Sequence, residues 1–248
     1  MNSYKVYYIN LDKSVVRRNF MENQFKKLNI SLTRMPAFYG KELPNDFLNK
    51  AKNQFNIFSH YPNLNDGEIG LTKTYFDLWK IIAEQKEGYA IVLEDDALLT
   101  KTFFIDLDKL LTSITQNNFL DISGRKGLCR LETNQLITKF LVPSLQTTGQ
   151  IIGKKAAKTL SENLTTYYSP IDVLKQDVFK HQTPVLTTNK RYVSSNDKAL
   201  GGTSLQLKNK PILKKIIREL IRPFWQILTL FTYKTNRCIR NYIFYKRN

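Results

Sequence analysis

"GYAIVLEDDALLT", residues 88–100, sets four consecutive apolar residues, Ala90-Ile91-Val92-Leu93, directly before three carboxylates, Glu94, Asp95 and Asp96. A short apolar run after a helix-ending glycine reads as a strand buried on both faces. Acids placed at its carboxyl end lie on the edge where open α/β sheets receive ligands. No basic residue stands beside them in sequence, so their mutual repulsion calls for a positive partner from elsewhere.

The neighbouring segments alternate in the same way and predict an α/β layered body. "YKVYYIN" (4–10) predicts a first strand, and residues 12–30 a helix with Val15, Phe20, Phe25 and Leu28 as its apolar stripe. A second strand is expected over 31–40 and a short helix over 43–55. Residues 65–88 predict a helix ended by Gly88, with Leu71, Tyr75, Leu78 and Ile82 at helical spacing. Residues 118–127 read as strand and turn, 136–143 and 146–153 as two more strands, and 183–189 as a late strand. Residues 154–164 and 171–180 each predict one helix. All of these segments are read from the sequence alone.

The 248 residues allow one large domain, or one domain with an appendage. A charged fraction of 24% with 12% aromatics is that of a globular chain. Cys129 and Cys238 show no metal-type spacing and suggest a reducing compartment. The opening segment lacks the basic-then-apolar pattern of a cleaved signal, and no apolar stretch is long enough to span a membrane.

The net charge of +17 is concentrated at the end of the chain. Residues 208–248 carry eleven Lys/Arg against one acid, Glu219, and this segment is also aromatic and broken by Pro211 and Pro223. We therefore divide the chain into an α/β body, 1–207, and a basic, helical extension, 208–248. Basic residues interleaved with Ile, Leu, Phe, Trp and Tyr suit an amphipathic segment lying on an anionic membrane surface. Packing on the body and nucleic-acid binding are the other readings of such a tail; the latter leaves the acids unexplained.

Three readings compete for the acids. One is a solvated turn. A P-loop nucleotidase is rejected because "GQIIGKKA" (149–156) has three residues between its glycines, lacks the required Ser/Thr and follows the acids. The third is a site for Mn²⁺ or Mg²⁺ held by Glu94 and Asp96, an acid-x-acid pair. These hard cations take few protein oxygens and complete their shell with phosphate and water.

Around the acids stand Ile-Asn-Leu-Asp (9–12), Arg17-Arg18, Pro36-Ala37 ahead of Gly40, Gly67-Glu68-Ile69-Gly70, Leu78-Trp79 and Val92-Leu93-Glu94-Asp95-Asp96. In order and spacing this set resembles glycosyltransferase family 25, the lipooligosaccharide and lipopolysaccharide galactosyltransferases of Gram-negative bacteria and their collagen-modifying relatives. The resemblance covers residues 4–105 and is thinner over 140–200. It implies a GT-A-like nucleotide-sugar-binding domain, a UDP-sugar donor (UDP-galactose or another UDP-hexose) and inversion at the anomeric carbon. It also implies a lipid-linked oligosaccharide acceptor, and with it a place on the cytoplasmic face of the bacterial inner membrane.

The expected roles follow. Asp172, which opens a helix after Pro170, is the candidate base; an acid stabilised by the helix N-terminus is the other reading, and Asp177 the alternative base. Glu68 binds acceptor or caps its helix. Asn10, Asp12 and Arg17 meet the nucleotide, with Arg18 and Arg125 as further phosphate candidates. Ala37 and Phe38 flank the base, Asp95 completes the cofactor set, and Trp79 belongs to the core. His60 and His181 show no ligand pattern. One departure stands out: Leu71 and the pair Thr74-Tyr75 occupy positions where the family usually has Cys and Ser-His. It leaves open a non-catalytic glycan- or partner-binding relative.

Overall fold

The structure, a computed structural model, describes residues 3–52 and 64–202. His60, Cys238 and the basic extension lie outside the described residues.

In chain order the elements are β1 (Tyr4–Asn10), α1 (Val15–Lys26), β2 (Thr33–Pro36), α2 (Asn45–Lys52), α3 (Asp66–Glu84) and β3 (Tyr89–Glu94). There follow β4 (Ala97–Leu99), α4 (Phe103–Ser113), β5 (Phe119–Asp121), β6 (Leu128–Thr133), β7 (Ile137–Val142) and β8 (Gly149–Gly153). The described part closes with α5 (Lys154–Asn163), α6 (Ile171–Leu174), α7 (Val178–His181), β9 (Val185–Thr188) and β10 (Val193–Ser195). The α/β expectation is met.

Eight strands form one sheet in the order β2-β1-β3-β8-β5-β9-β7-β6, and β4 and β10 pair separately. The first three are parallel, which is why β1 and β3 read as continuous apolar runs. Alternate side chains serve opposite faces. Tyr7, Ile9, Ala90 and Val92 pack with Tyr75, Leu78, Trp79 and Ile82 of α3. Val6, Tyr8, Ile91 and Leu93 pack on the other side with Met21, Phe25 and α4. Trp79 is a core residue, as expected.

β8 runs antiparallel between β3 and β5. Its N-terminal end therefore adjoins the carboxyl end of β3, and the Glu94 amide donates to the Thr148 carbonyl oxygen at 3.0 Å. The strands over 136–143 and 146–153 are both present but are not neighbours, because β7 lies between β9 and β6.

Two expected patterns need correction. The inward row of α1 is Arg17, Met21 and Phe25, while Val15 and Leu28 are exposed. Arg17 is drawn inside by buried carboxylates, which a hydrophobic period does not register. The single helix expected over 171–180 is two four-residue helices separated by Lys175–Asp177. The Lys175 side chain turns inward to a buried ion pair with Asp121 at 2.8 Å, and the Asp177 carboxylate accepts from Tyr168 Oη at 2.7 Å.

Candidate active site

The carboxyl ends of β1, β2 and β3, the N-terminal turn of α3, the approach to β8 and the start of α6 enclose a cavity of about 600 Å³. Asn10, Arg17, Ala37, Phe38 and Glu68 line this one cleft together with Glu94, Asp95, Asp96 and Asp172. Arg125 lines it as well. Asp12 does not: it is an exposed carboxylate bound by Arg34 and lying 3.8 Å from Arg18. Asp177 is likewise absent from the cleft lining and is committed to Tyr168.

The three adjacent acids have three different environments. Asp95 is buried, accepting from Asn10 Nδ2 at 2.8 Å and from Arg17 Nη1 at 2.9 Å. Each of its oxygens takes one hydrogen bond, which fixes the carboxylate where it lines the cleft. Arg17 continues to Asp197 and to the Gly202 carbonyl oxygen, drawing the segment after β10 over the acids.

Glu94 and Asp96 flank this pair. Glu94 Oε1 accepts from Thr147 Oγ1 at 2.5 Å, and Asp96 Oδ2 from Ser195 Oγ. Among the described residues nothing donates to the second oxygen of either. Burial pushes the Glu94 carboxyl up to about 7, against the Thr147 hydrogen bond and with the charges of Asp96, Asp95 and Asp172. Burial also raises Asp96, opposed by Ser195 and Arg17. Two crowded carboxylates, each with one oxygen unengaged, suit a hard divalent cation that completes its shell with phosphate and water. Among the described residues no cluster of three or more His, Cys, Asp or Glu forms a site made by protein alone.

Asp172, also in the lining, is held above the ordinary carboxylate range, first by burial and also by Glu68, while Lys175 lowers it. Its Oδ1 accepts from the Val173 amide at 3.0 Å. Glu68 caps its helix and also lines the cleft. Its side chain accepts from the Asn65 amide at 3.0 Å, completing a capping box with the Asn65 side chain.

The strongly patterned Gly67-Glu68-Ile69-Gly70 turn has a packing reason. A Cβ on Gly70 would lie 2.5 Å from the Phe38 carbonyl oxygen, and one on Gly40 1.8 Å from the Asp66 carbonyl oxygen. Residues 37–40 are thus pressed onto the start of α3, with the Phe38 amide donating to Thr74 Oγ1 at 3.0 Å. Thr74 and Tyr75 stand behind the walls and do not line the cleft; Leu71 does. In this chain residues 74 and 75 thus act as supports of the cleft walls.

Thr147, Ser195 and Asp197 were not anticipated. They follow β7 or belong to the β10 region, and only the antiparallel entry of β8 and the β4–β10 pairing bring them to the acids. No spacing in the sequence carries that signal.

A family model described as glycosyltransferase family 25 (LPS biosynthesis protein) matches residues 3–175. A protein of Aedes aegypti, named a glycosyltransferase 25 family member, is 27% identical over 168 residues, covering 63% of this chain and 28% of that protein. A Drosophila melanogaster protein of the same description is 28% identical over 96 residues, 37% of this chain and 16% of its own. The chain spans less than a third of the length of these curated relatives. Among solved structures, S. aureus TarS 1–349 gives a TM-score of 0.40 at 9% identity, covering 80% of this chain and 61% of that one. The apo-form glycosyltransferase GlyE of Streptococcus pneumoniae TIGR4 gives 0.36 at 13%, covering 94% and 64%. Scores of this size are too low to bear on fold or function.

Proposed function

The chain belongs to glycosyltransferase family 25, and on that premise we propose that it moves a hexose, galactose from UDP-galactose, onto a hydroxyl of a lipooligosaccharide or LPS core acceptor. The observation that carries this reading is the convergence, in one cleft, of a carboxylate pair suited to a divalent cation and a separate, partly buried carboxylate, Asp172.

In this mechanism the UDP diphosphate enters at the ends of β1 and β3. Glu94 and Asp96 are the residues that would hold Mn²⁺ or Mg²⁺, and the ion would supply positive charge for the departing diphosphate. Ala37 and Phe38 form the wall for the nucleotide base. Asp95 and Asn10 set the floor, and Arg125 supplies positive charge at the rim. The acceptor enters between Glu68 and Asp172. Asp172 takes the proton of its hydroxyl as the new bond to the anomeric carbon forms, and the bond to UDP breaks on the opposite side with its electron pair going to UDP. Burial of Asp172 raises its proton affinity and so favours this step.

We further propose that the enzyme works at the cytoplasmic face of the bacterial inner membrane, with residues 208–248 docked on anionic lipid beside a lipid-linked acceptor. Among the described residues no helix is long and apolar enough to cross a membrane.

The test is UDP release with a panel of UDP-sugars, Mn²⁺ and truncated lipooligosaccharide. Turnover is expected with UDP-galactose. Folded protein that turns over no donor would favour a binding module.

A further inference from the structure

Tyr75, which departs from the family's usual histidine, is wholly buried behind the cleft. Its hydroxyl donates to the Thr147 carbonyl oxygen at 3.2 Å and accepts from Gln150 Nε2 at 3.0 Å. Burial holds its proton in place, with the ionised form strongly disfavoured. Thr147 then passes the connection onward through its own hydroxyl, which donates to Glu94 Oε1 at 2.5 Å.

The position of Thr147 makes this chain of bonds consequential. It precedes β8, so no strand ladder fixes its backbone, and among the described residues Tyr75 supplies the hydrogen bond to its carbonyl oxygen. Glu94 ends β3 and has its amide tied to Thr148. The backbone of Glu94 is thus secured by the sheet, whereas its carboxylate direction depends on the Thr147 hydroxyl.

We infer that Tyr75 is a positioning residue for Glu94, acting through the Thr147 main chain and hydroxyl, and that it thereby sets the affinity of the cleft for a divalent cation. This rests on the reading of Glu94 and Asp96 as the cation-holding pair. Removing the Tyr75 hydroxyl leaves the Thr147 carbonyl and the Gln150 amide unpaired in a buried place. The segment relaxes to satisfy them, and the Thr147 hydroxyl moves off Glu94.

The experiment is Mn²⁺ titration of the intact, donor-free protein, followed by calorimetry and by the electron paramagnetic resonance signal of free Mn²⁺. Tyr75→Phe should weaken binding about five- to tenfold, the size expected for one buried hydrogen bond. Thr147→Val should do the same. The double variant should be no weaker than Thr147→Val alone, because both changes break one relay. Multiplying effects would assign Tyr75 a general packing role and overturn the inference, as would Tyr75→Phe binding within about twofold of wild type. If Tyr75→Phe does not fold, Gln150→Met loses only the outer link and should shift binding in the same direction, again without effect in the Thr147→Val background. Asp96→Asn separates the two levels. Equal Mn²⁺ binding by wild type and Asp96→Asn removes the cation reading and this inference together. Loss in Asp96→Asn with none in Tyr75→Phe removes the inference alone.

Discussion

Arg17 Nη1 stands 2.9 Å from Asp95 Oδ1, with both side chains about nine-tenths buried. The middle acid of the Glu-Asp-Asp run already owns a cation supplied by the protein. Asp95→Asn should therefore act on stability more than on chemistry. It leaves Arg17 with Asp197 as its remaining carboxylate, at a cost of about 2–4 kcal/mol in urea unfolding.

Asp96→Asn should behave in the opposite way. The asparagine can still accept from Ser195, and a buried negative charge is relieved, so the unfolding midpoint should hold or rise. Turnover should fall at least ~100-fold. Wild-type rates of UDP release would remove Asp96 from the cation site.

The Glu94 carboxyl, lifted to about 7 from its ordinary 4.5, couples metal-free stability to pH. Its contribution is fully present below about pH 4.5 and is lost as pH rises through 7. The stability difference between wild type and Glu94→Gln should decline across this window and then level off. His181, buried and lowered to about 4, acts in the reverse sense: its contribution is present above 6.5 and lost as pH falls toward 4. That contribution is shared by both proteins and cancels in the difference. A flat difference from pH 4.5 to 7 would refute the buried-carboxyl account.

Gly70→Ala tests the cleft wall. The added methyl meets the Phe38 carbonyl oxygen at 2.5 Å and the Gly40 amide nitrogen at 2.9 Å, both backbone atoms. The wall over 37–40 must move away. A loss of ~1–3 kcal/mol in stability and a rise of about tenfold in donor KM are expected. An unchanged KM would separate this wall from donor binding.

Deleting residues 208–248 should reduce sedimentation with anionic liposomes, and the full chain should lose binding as salt is raised. Equal sedimentation of both proteins would defeat the docking proposal.

The candidate site was legible in the sequence to the extent that it lies at strand ends. Apolar runs located β1 and β3, and the acids following them marked the ligand edge. Asp12 lies outside the cleft lining because a residue just past a strand is free to turn to the surface, where Arg34 holds it. The α1 stripe misled because Arg17 is buried by charge pairing, which hydrophobic periodicity does not weigh. Thr147 and Ser195 were hidden for another reason. Their partners, Glu94 and Asp96, lie 53 and 99 residues away in the chain and meet them only through sheet pairing.

The turn of α3 from Gly70 to Tyr75 touches both sides of the cleft from behind, through Thr74 to Phe38 and through Tyr75 to Thr147. The opening between residues 37–40 and the acids is thus backed by a single stretch of helix. Substitutions in that turn would move both sides together, so the width of the opening and the direction of the Glu94 carboxylate are tied to one stretch of helix.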